Sequence, residues 1–314
     1  MSRPHETDCQ TNQIGQNQTR LPHGRPQRKK TMSTNKTQTM DEAFFEEYTS
    51  NDAILKYTKA TAGTGISYLL DHDYKDIYMR ALENLSPEVK QRGIRMLEFG
   101  CGGGMNLVHL VAVLTKAGIK VQKAVGTDFS PVLIEAAKKE SSNYLRPEDQ
   151  GRIEFHIAKN ESLVDDIAAV TGTPPAKLAG SFDFILGVNT MRYSHRGGRE
   201  MSCARDILTL LAPGGICVNI DMNNRFPAFR SALKNKFRAH KLEECYIPSL
   251  EEYAAPFKKT GFELLRQEHF CWVPHSGGKA MCQVMRALTP VLSTVAKTRA
   301  MRSLIVARKP QAGR

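Results

Sequence analysis

Hydrophobic positions along the chain fall into two periods, and they alternate. The apolar run at 94–99 and the segments 121–127, 152–158, 181–188, 216–222, 262–272 and the apolar 303–307 read as strands. The stretches between them carry apolar residues at helical spacing, as in Leu107, Val108, Leu110, Val111 and Leu114 after the first run. Helices are predicted over about 163–171, 199–211 and 250–261. Punctuation supports these bounds. Ser130-Pro131 caps and starts a helix, Ser249 with Glu252 forms a capping box, and Ala212-Pro213-Gly214-Gly215 reads as a turn before the fifth strand. Strands alternating with helices give an α/β, doubly wound, mostly parallel sheet.

Two regions depart from the pattern. Residues 1–39 are rich in Gln, Asn, Thr, Arg and Pro and carry too few apolar side chains for a core, so they are expected to be a disordered tail, with Met32 and Met40 as alternative starts. Residues 40–90 read as a helical lid, and insertions at about 223–248 and 274–301 read as helical covers over a domain spanning 91–310.

The chemistry concentrates at the first strand end. Ile94 to Phe99 stops at Gly100-Cys101-Gly102-Gly103-Gly104-Met105-Asn106, and an apolar helix follows. A glycine turn between strand and helix lets backbone approach a ligand at the helix N-terminus. The dinucleotide fingerprint G-x-G-x-x-G is not met, because Met105 stands at its last position. The order is instead E-x-G-x-G-x-G, with Glu98 two residues before Gly100. The second strand then ends in Asp128, followed by Phe129.

This order resembles the first motifs of class I S-adenosylmethionine (SAM)-dependent methyltransferases, and Pro213-Gly214-Gly215 before an apolar strand is similar to a further marker of that family. The resemblance covers about residues 75–310. It implies a Rossmann-like seven-stranded sheet whose last strand is antiparallel, SAM as cofactor, and methyl transfer to an O, N or C atom of a small-molecule acceptor. It also implies site residues. Glu98, Gly100, Cys101, Gly102, Gly104 and Asn106 would hold the methionine end of SAM, Asp128 the ribose, and Phe129, Asn160, Glu161 and Asn189 the remainder. An Asp usual after the third strand is absent, so Asn160 or Glu161 takes its place. The fourth-strand end offers Arg192 and Tyr193 as acceptor contacts and His195 as a base able to titrate near neutrality. Asn223 and Arg225 lie at the fifth-strand end, and Tyr57, Tyr68 and His72 are further substrate-side candidates.

Charge narrows the alternatives. The chain of 314 residues has 44 Lys and Arg against 32 Asp and Glu, a formal +12. The excess is terminal: residues 1–40 carry +5, residues 286–314 carry +7, and residues 41–285 are neutral. That weakens a nucleic-acid partner, although an RNA or protein methyltransferase using the basic termini remains an alternative, as does a non-catalytic SAM binder. Met105 speaks against a dinucleotide oxidoreductase. Seven scattered cysteines without zinc spacing suit a reducing cytoplasm and no metal. No run is long and apolar enough for a membrane span, and oligomeric state leaves no mark in the sequence.

Overall fold

The computed structural model describes residues 68–227, 247–274 and 277–311. The sheet has seven strands: β1 (Ile94–Phe99), β2 (Val121–Asp128), β3 (Ile153–Ile157), β4 (Phe182–Val188), β5 (Leu211–Met222), β6 (Glu263–Phe270) and β7 (Arg302–Arg308). Their order across the sheet is β3-β2-β1-β4-β5-β7-β6. β1 to β5 pair in parallel, and β7 runs antiparallel to both neighbours. The expected antiparallel final strand is therefore present, inserted between β5 and β6.

Strict alternation along the central strands sends side chains to two cores. Met96, Phe184, Ile216, Val218, Leu304 and Val306 face one side. There they meet α1 (Lys75–Leu82) and α3 (Met105–Lys116). Leu97, Phe99, Ile185, Cys217, Ile305 and Ala307 face the other, against α6 (Leu163–Thr171), α9 (Glu200–Leu210) and α10 (Leu250–Thr260). Both faces are covered, which is why β1 and β4 read as continuous apolar runs. The remaining helices in chain order are α2 (Pro87–Arg92), α4 (Pro131–Tyr144), α5 (Pro147–Gln150), α7 (Pro175–Leu178), α8 (Met191–Arg196) and α11 (Lys279–Val295). A π-helical turn, Leu70–Tyr74, leads into α1, and a 3₁₀ turn, Lys297–Arg299, leads into β7.

Local signals set several boundaries as expected. The Ser130 hydroxyl accepts from Leu133 N–H at 3.3 Å, and Pro131 begins α4. Ser249 and Glu252 form a reciprocal capping box at α10. Others differ. β5 begins at Leu211, so Ala212 to Gly215 lies within the strand rather than in a turn before it. The reason is tertiary: Gly214 N–H donates to Lys309 O and Lys309 N–H donates to Gly215 O, each at 2.9 Å, which carries the ladder through a segment that sequence reads as a breaker. The 172–180 loop contains the short α7, and β6 stops at Phe270, two residues before Trp272. The 274–301 insertion is largely helical through α11. The tail, residues 40–67 of the lid and residues 228–246 of the other insertion lie outside the described residues. Among the described residues no helix is long and apolar enough to cross a membrane, and Cys101, Cys203, Cys217, Cys271 and Cys282 are free thiols.

Candidate functional site

The carboxyl ends of β1, β2, β4 and β5 form the crevice expected of an open parallel sheet. The first side is the glycine loop. Gly100 (φ 60°) sits against the Thr190 side chain so closely that a Cβ there would lie 2.0 Å from Thr190 Oγ1. No larger residue fits while the loop and the β4 end stay in contact. Gly102 (φ 54°) is the opposite case: a Cβ would meet nothing within 4 Å. There is open space on its side-chain side, and Gly102 is itself half-buried. Gly104 is the N-cap of α3, and Cys101 N–H donates to Thr127 O at 2.8 Å, tying the loop to β2.

Two buried carboxylates flank the glycine loop. Glu98 is fully buried; its Oε1 accepts from Asn106 Nδ2 at 3.1 Å and its Oε2 from Leu107 N–H at 3.0 Å. Burial pushes its carboxyl up to about 8, against the lowering effect of the Asn106 and Leu107 hydrogen bonds. Asp128 accepts from Gly102 N–H and Ser130 N–H, each at 2.9 Å. Burial raises its carboxyl as well, opposed by backbone donors including Ser130 and Gly102. Both acids thus fix the loop, Glu98 through the start of α3 and Asp128 through Gly102. Asn106 Oδ1 is buried and unpartnered, an acceptor awaiting a donor. Phe129 is partly buried directly after Asp128.

Asn160 Nδ2 donates to Thr190 Oγ1 at 2.6 Å, so it bridges the β3 and β4 ends beside Gly100. Glu161 pairs with the exposed Arg199.

At the β4 end Asn189 adopts φ 57°, a left-handed conformation rare outside glycine, and its N–H donates to Ile220 O at 2.7 Å. Arg192 and Tyr193 engage each other: Nη2 donates to the Tyr193 hydroxyl at 2.6 Å and the guanidinium lies 4.6 Å from the ring centroid. Arg192 also contacts Met222 Sδ. His195 packs edge-on to the Tyr253 ring of α10, with centroids 5.6 Å apart, and its Nε2 is buried without a partner. Burial lowers its pKa, with Glu200, Asp221 and Glu252 acting in the opposite direction. At the β5 end Asp221 is fully buried and accepts from Arg192 N–H (3.0 Å) and Met222 N–H (2.8 Å). Asn223 is committed to backbone. Its Nδ2 donates to Thr298 O and Ala300 O, and its Oδ1 accepts from Arg225 N–H, so it clamps the turn before β7 instead of facing an acceptor. Arg225 is exposed. On the cover side, Tyr68 stacks 4.5 Å from His72, and Arg286 of α11 lies 6.0 Å above the Tyr68 ring. Tyr57 is outside the described residues.

Sequence reasoning missed Thr190, which joins Gly100 to Asn160, and Arg302 of β7, whose Nη1 donates to Asn189 Oδ1 at 2.5 Å. Neither carries a local motif. Their roles arise from strands brought together by the fold.

Residues 70–267 match the model of a methyltransferase-domain family. Among solved structures, the chain is similar to the CurJ carbon methyltransferase at 18% identity and TM-score 0.53, covering 86% of this chain and 62% of that one. It is also similar to a protein of Bordetella parapertussis described as a possible exported protein, at 16% identity and TM-score 0.52, covering 86% and 83%. A SAM-dependent methyltransferase of Mesorhizobium loti aligns at 18% identity and TM-score 0.47, covering 73% and 96%. No curated protein matches the chain.

Proposed function

Since the chain belongs to the methyltransferase-domain family, we propose that it uses S-adenosylmethionine as methyl donor and that its acceptor is a small molecule held between the β4 and β5 ends. SAM supplies a methyl group already activated on a sulfonium sulfur. The protein's task is therefore chiefly to align a nucleophilic O, N or C atom and to exclude water.

The observation that carries this reading is the glycine loop with open space at Gly102, flanked by the buried Glu98 and Asp128 on adjacent parallel strands. Its donor and acceptor set suits the cofactor. Glu98 and the unpartnered Asn106 Oδ1 are acceptors for an ammonium group, and Asp128 has lone pairs left for a ribose diol. Phe129 and Asn160 flank the same crevice. Arg192 and Tyr193 border the acceptor side, and His195 is the titratable group there that can take a proton from the acceptor. The neutral charge of residues 41–285 favours a small acceptor over a polyanion.

Calorimetry with S-adenosylhomocysteine tests the cofactor site. Micromolar binding, about 7–8 kcal/mol, is expected. Asp128→Ala should cost roughly 1.5–3 kcal/mol of that affinity through a lost charge-assisted contact. Unchanged affinity in the variant would show that another group holds the ribose.

A further inference from the structure

Arg302 is the first residue of β7 and is 5% exposed. It pairs in register with Met222, which puts it at the crevice end of the sheet. From there its Nη1 reaches across the end of β5 to Asn189 Oδ1. The next residue, Thr190, touches Gly100 of the cofactor loop. The guanidinium is therefore linked to the loop through two residues, Asn189 and Thr190.

A guanidinium withdrawn from water is costly unless an anion compensates it. Among the described residues Arg302 forms no ion pair, and its Nε is buried with no partner at all. Two acids share its surroundings near Tyr74. Asp221 accepts from the N–H groups of Arg192 and Met222, and it forms no hydrogen bond or ion pair with Arg302 among the described residues. The Asp73 carboxyl is pushed up by burial and faces Cys271. Neither answers the Nε edge. The Tyr74 hydroxyl, at the end of the π-helical turn, is buried without a partner and feels the Arg302 charge. Non-standard turns of this kind concentrate at functional sites.

We propose that Arg302 is the anchor for an anionic group on the acceptor, a carboxylate or a phosphate, with the Tyr74 hydroxyl as a second donor. Asn189 occupies one edge of the guanidinium fork and leaves the Nε edge for a planar, two-pronged contact. That edge is enclosed in this state, so entry of the anion requires the covering residues to shift. The inference rests on the reading of the β4–β5 crevice as the acceptor site.

The test uses the full chain saturated with S-adenosylhomocysteine. Benzoate and phenyl phosphate are titrated, with benzamide as neutral counterpart, and binding is read by calorimetry and by melting temperature. At least one anion should bind and raise Tm, while benzamide does neither. Preference for one of them identifies the group. Arg302→Gln should weaken the anion at least tenfold, with Arg302→Lys falling between. Without anion, Arg302→Met should melt no lower than the wild type, because an uncompensated buried cation has been removed. Equal binding of benzoate and benzamide, or anion affinity unchanged in Arg302→Gln, would overturn the proposal. So would a large Tm loss in all three variants, which would make Arg302 the structural counter-charge of Asp221. Failure of S-adenosylhomocysteine to bind the wild type counts against the cofactor site instead, and the same titrations on the protein without it still decide the anion site.

Discussion

The residue whose chemistry is most altered by its position is Glu98. Its carboxyl titrates at about 8 in the folded chain against an ordinary 4.5, because burial opposes ionisation more than Asn106 and Leu107 favour it. At pH 7 it is mostly protonated. If it receives the cofactor's ammonium group, binding ionises it, and the proton leaves for the buffer. Calorimetry of S-adenosylhomocysteine at pH 7 in two buffers of different ionisation enthalpy should report release of about one proton, and release should disappear in Glu98→Gln. The same shift fixes a stability slope. A raised folded pKa contributes stability that is full below 4.5 and is lost as pH rises through about 8. Glu98→Gln should therefore flatten the decline in Tm between those limits. His195 runs the other way. Its lowered pKa keeps the ring neutral at pH 7, ready to accept a proton. As a base, His195→Gln should lower kcat by about 10²–10⁴ with cofactor affinity intact, and the acid limb of the wild-type profile should fall below pH 6.5. If the packing on Tyr253 is its whole role, the variant loses Tm instead and kcat holds.

At the scale of elements, what sequence revealed and what it hid divide by the range of the interactions involved. β1, β4 and α6 announce themselves because most of their buried positions are apolar and their ends carry turn residues. The glycine loop with Glu98 and Asp128 was legible for the same reason: strand end, turn and helix start are contiguous. The start of β5 was not, because Ala-Pro-Gly-Gly is a breaker locally and becomes ladder only through Lys309, almost a hundred residues away. Asn223 reads as a crevice residue by position, yet its partners are Thr298 and Ala300. Arg302 reads as one of several basic residues near the C-terminus, and its meaning comes from register with Met222. Local signals also predict energies. The Ser249–Glu252 box satisfies two backbone donors at the start of α10, at 3.2 Å and 2.6 Å. α10 carries Tyr253 and Phe257 into the core. Ser249→Ala should cost about 1 kcal/mol and lower Tm by about 2–4 °C, with cofactor affinity unchanged. A loss of affinity would mean that α10 also shapes the crevice.

For the whole molecule, charge is separated from chemistry. The amino-terminal ends of the central strands β1 and β4 are held by Asp183, 1% exposed, which accepts from Arg92 Nη2 at 2.6 Å and from Arg95 Nη2 at 2.9 Å. Burial raises its carboxyl, but the Arg95 and Arg92 hydrogen bonds outweigh that and hold it below 3.8. A depressed pKa contributes stability that is full above 3.8 and is lost as pH falls through the lower folded value. Asp183→Asn should thus remove part of the acid-unfolding slope while leaving the crevice at the opposite strand ends intact. The net charge, by contrast, is set at the two ends of the sequence. Residues 41–285, which include the glycine loop and the β4 and β5 ends, sum to zero, and the surplus sits in the first 40 and last 29 residues. A polyanionic substrate would be steered by charge lining its crevice, and its binding would weaken steeply with salt. A small acceptor needs no such field. Deleting residues 1–31 should therefore leave S-adenosylhomocysteine affinity and acceptor turnover within about twofold of the full chain, a difference below ~0.5 kcal/mol, and turnover should show little salt dependence. A truncated protein that folds and binds cofactor but loses turnover, with the full chain strongly inhibited by salt, would make the basic arm part of the substrate site and an RNA or acidic protein the acceptor.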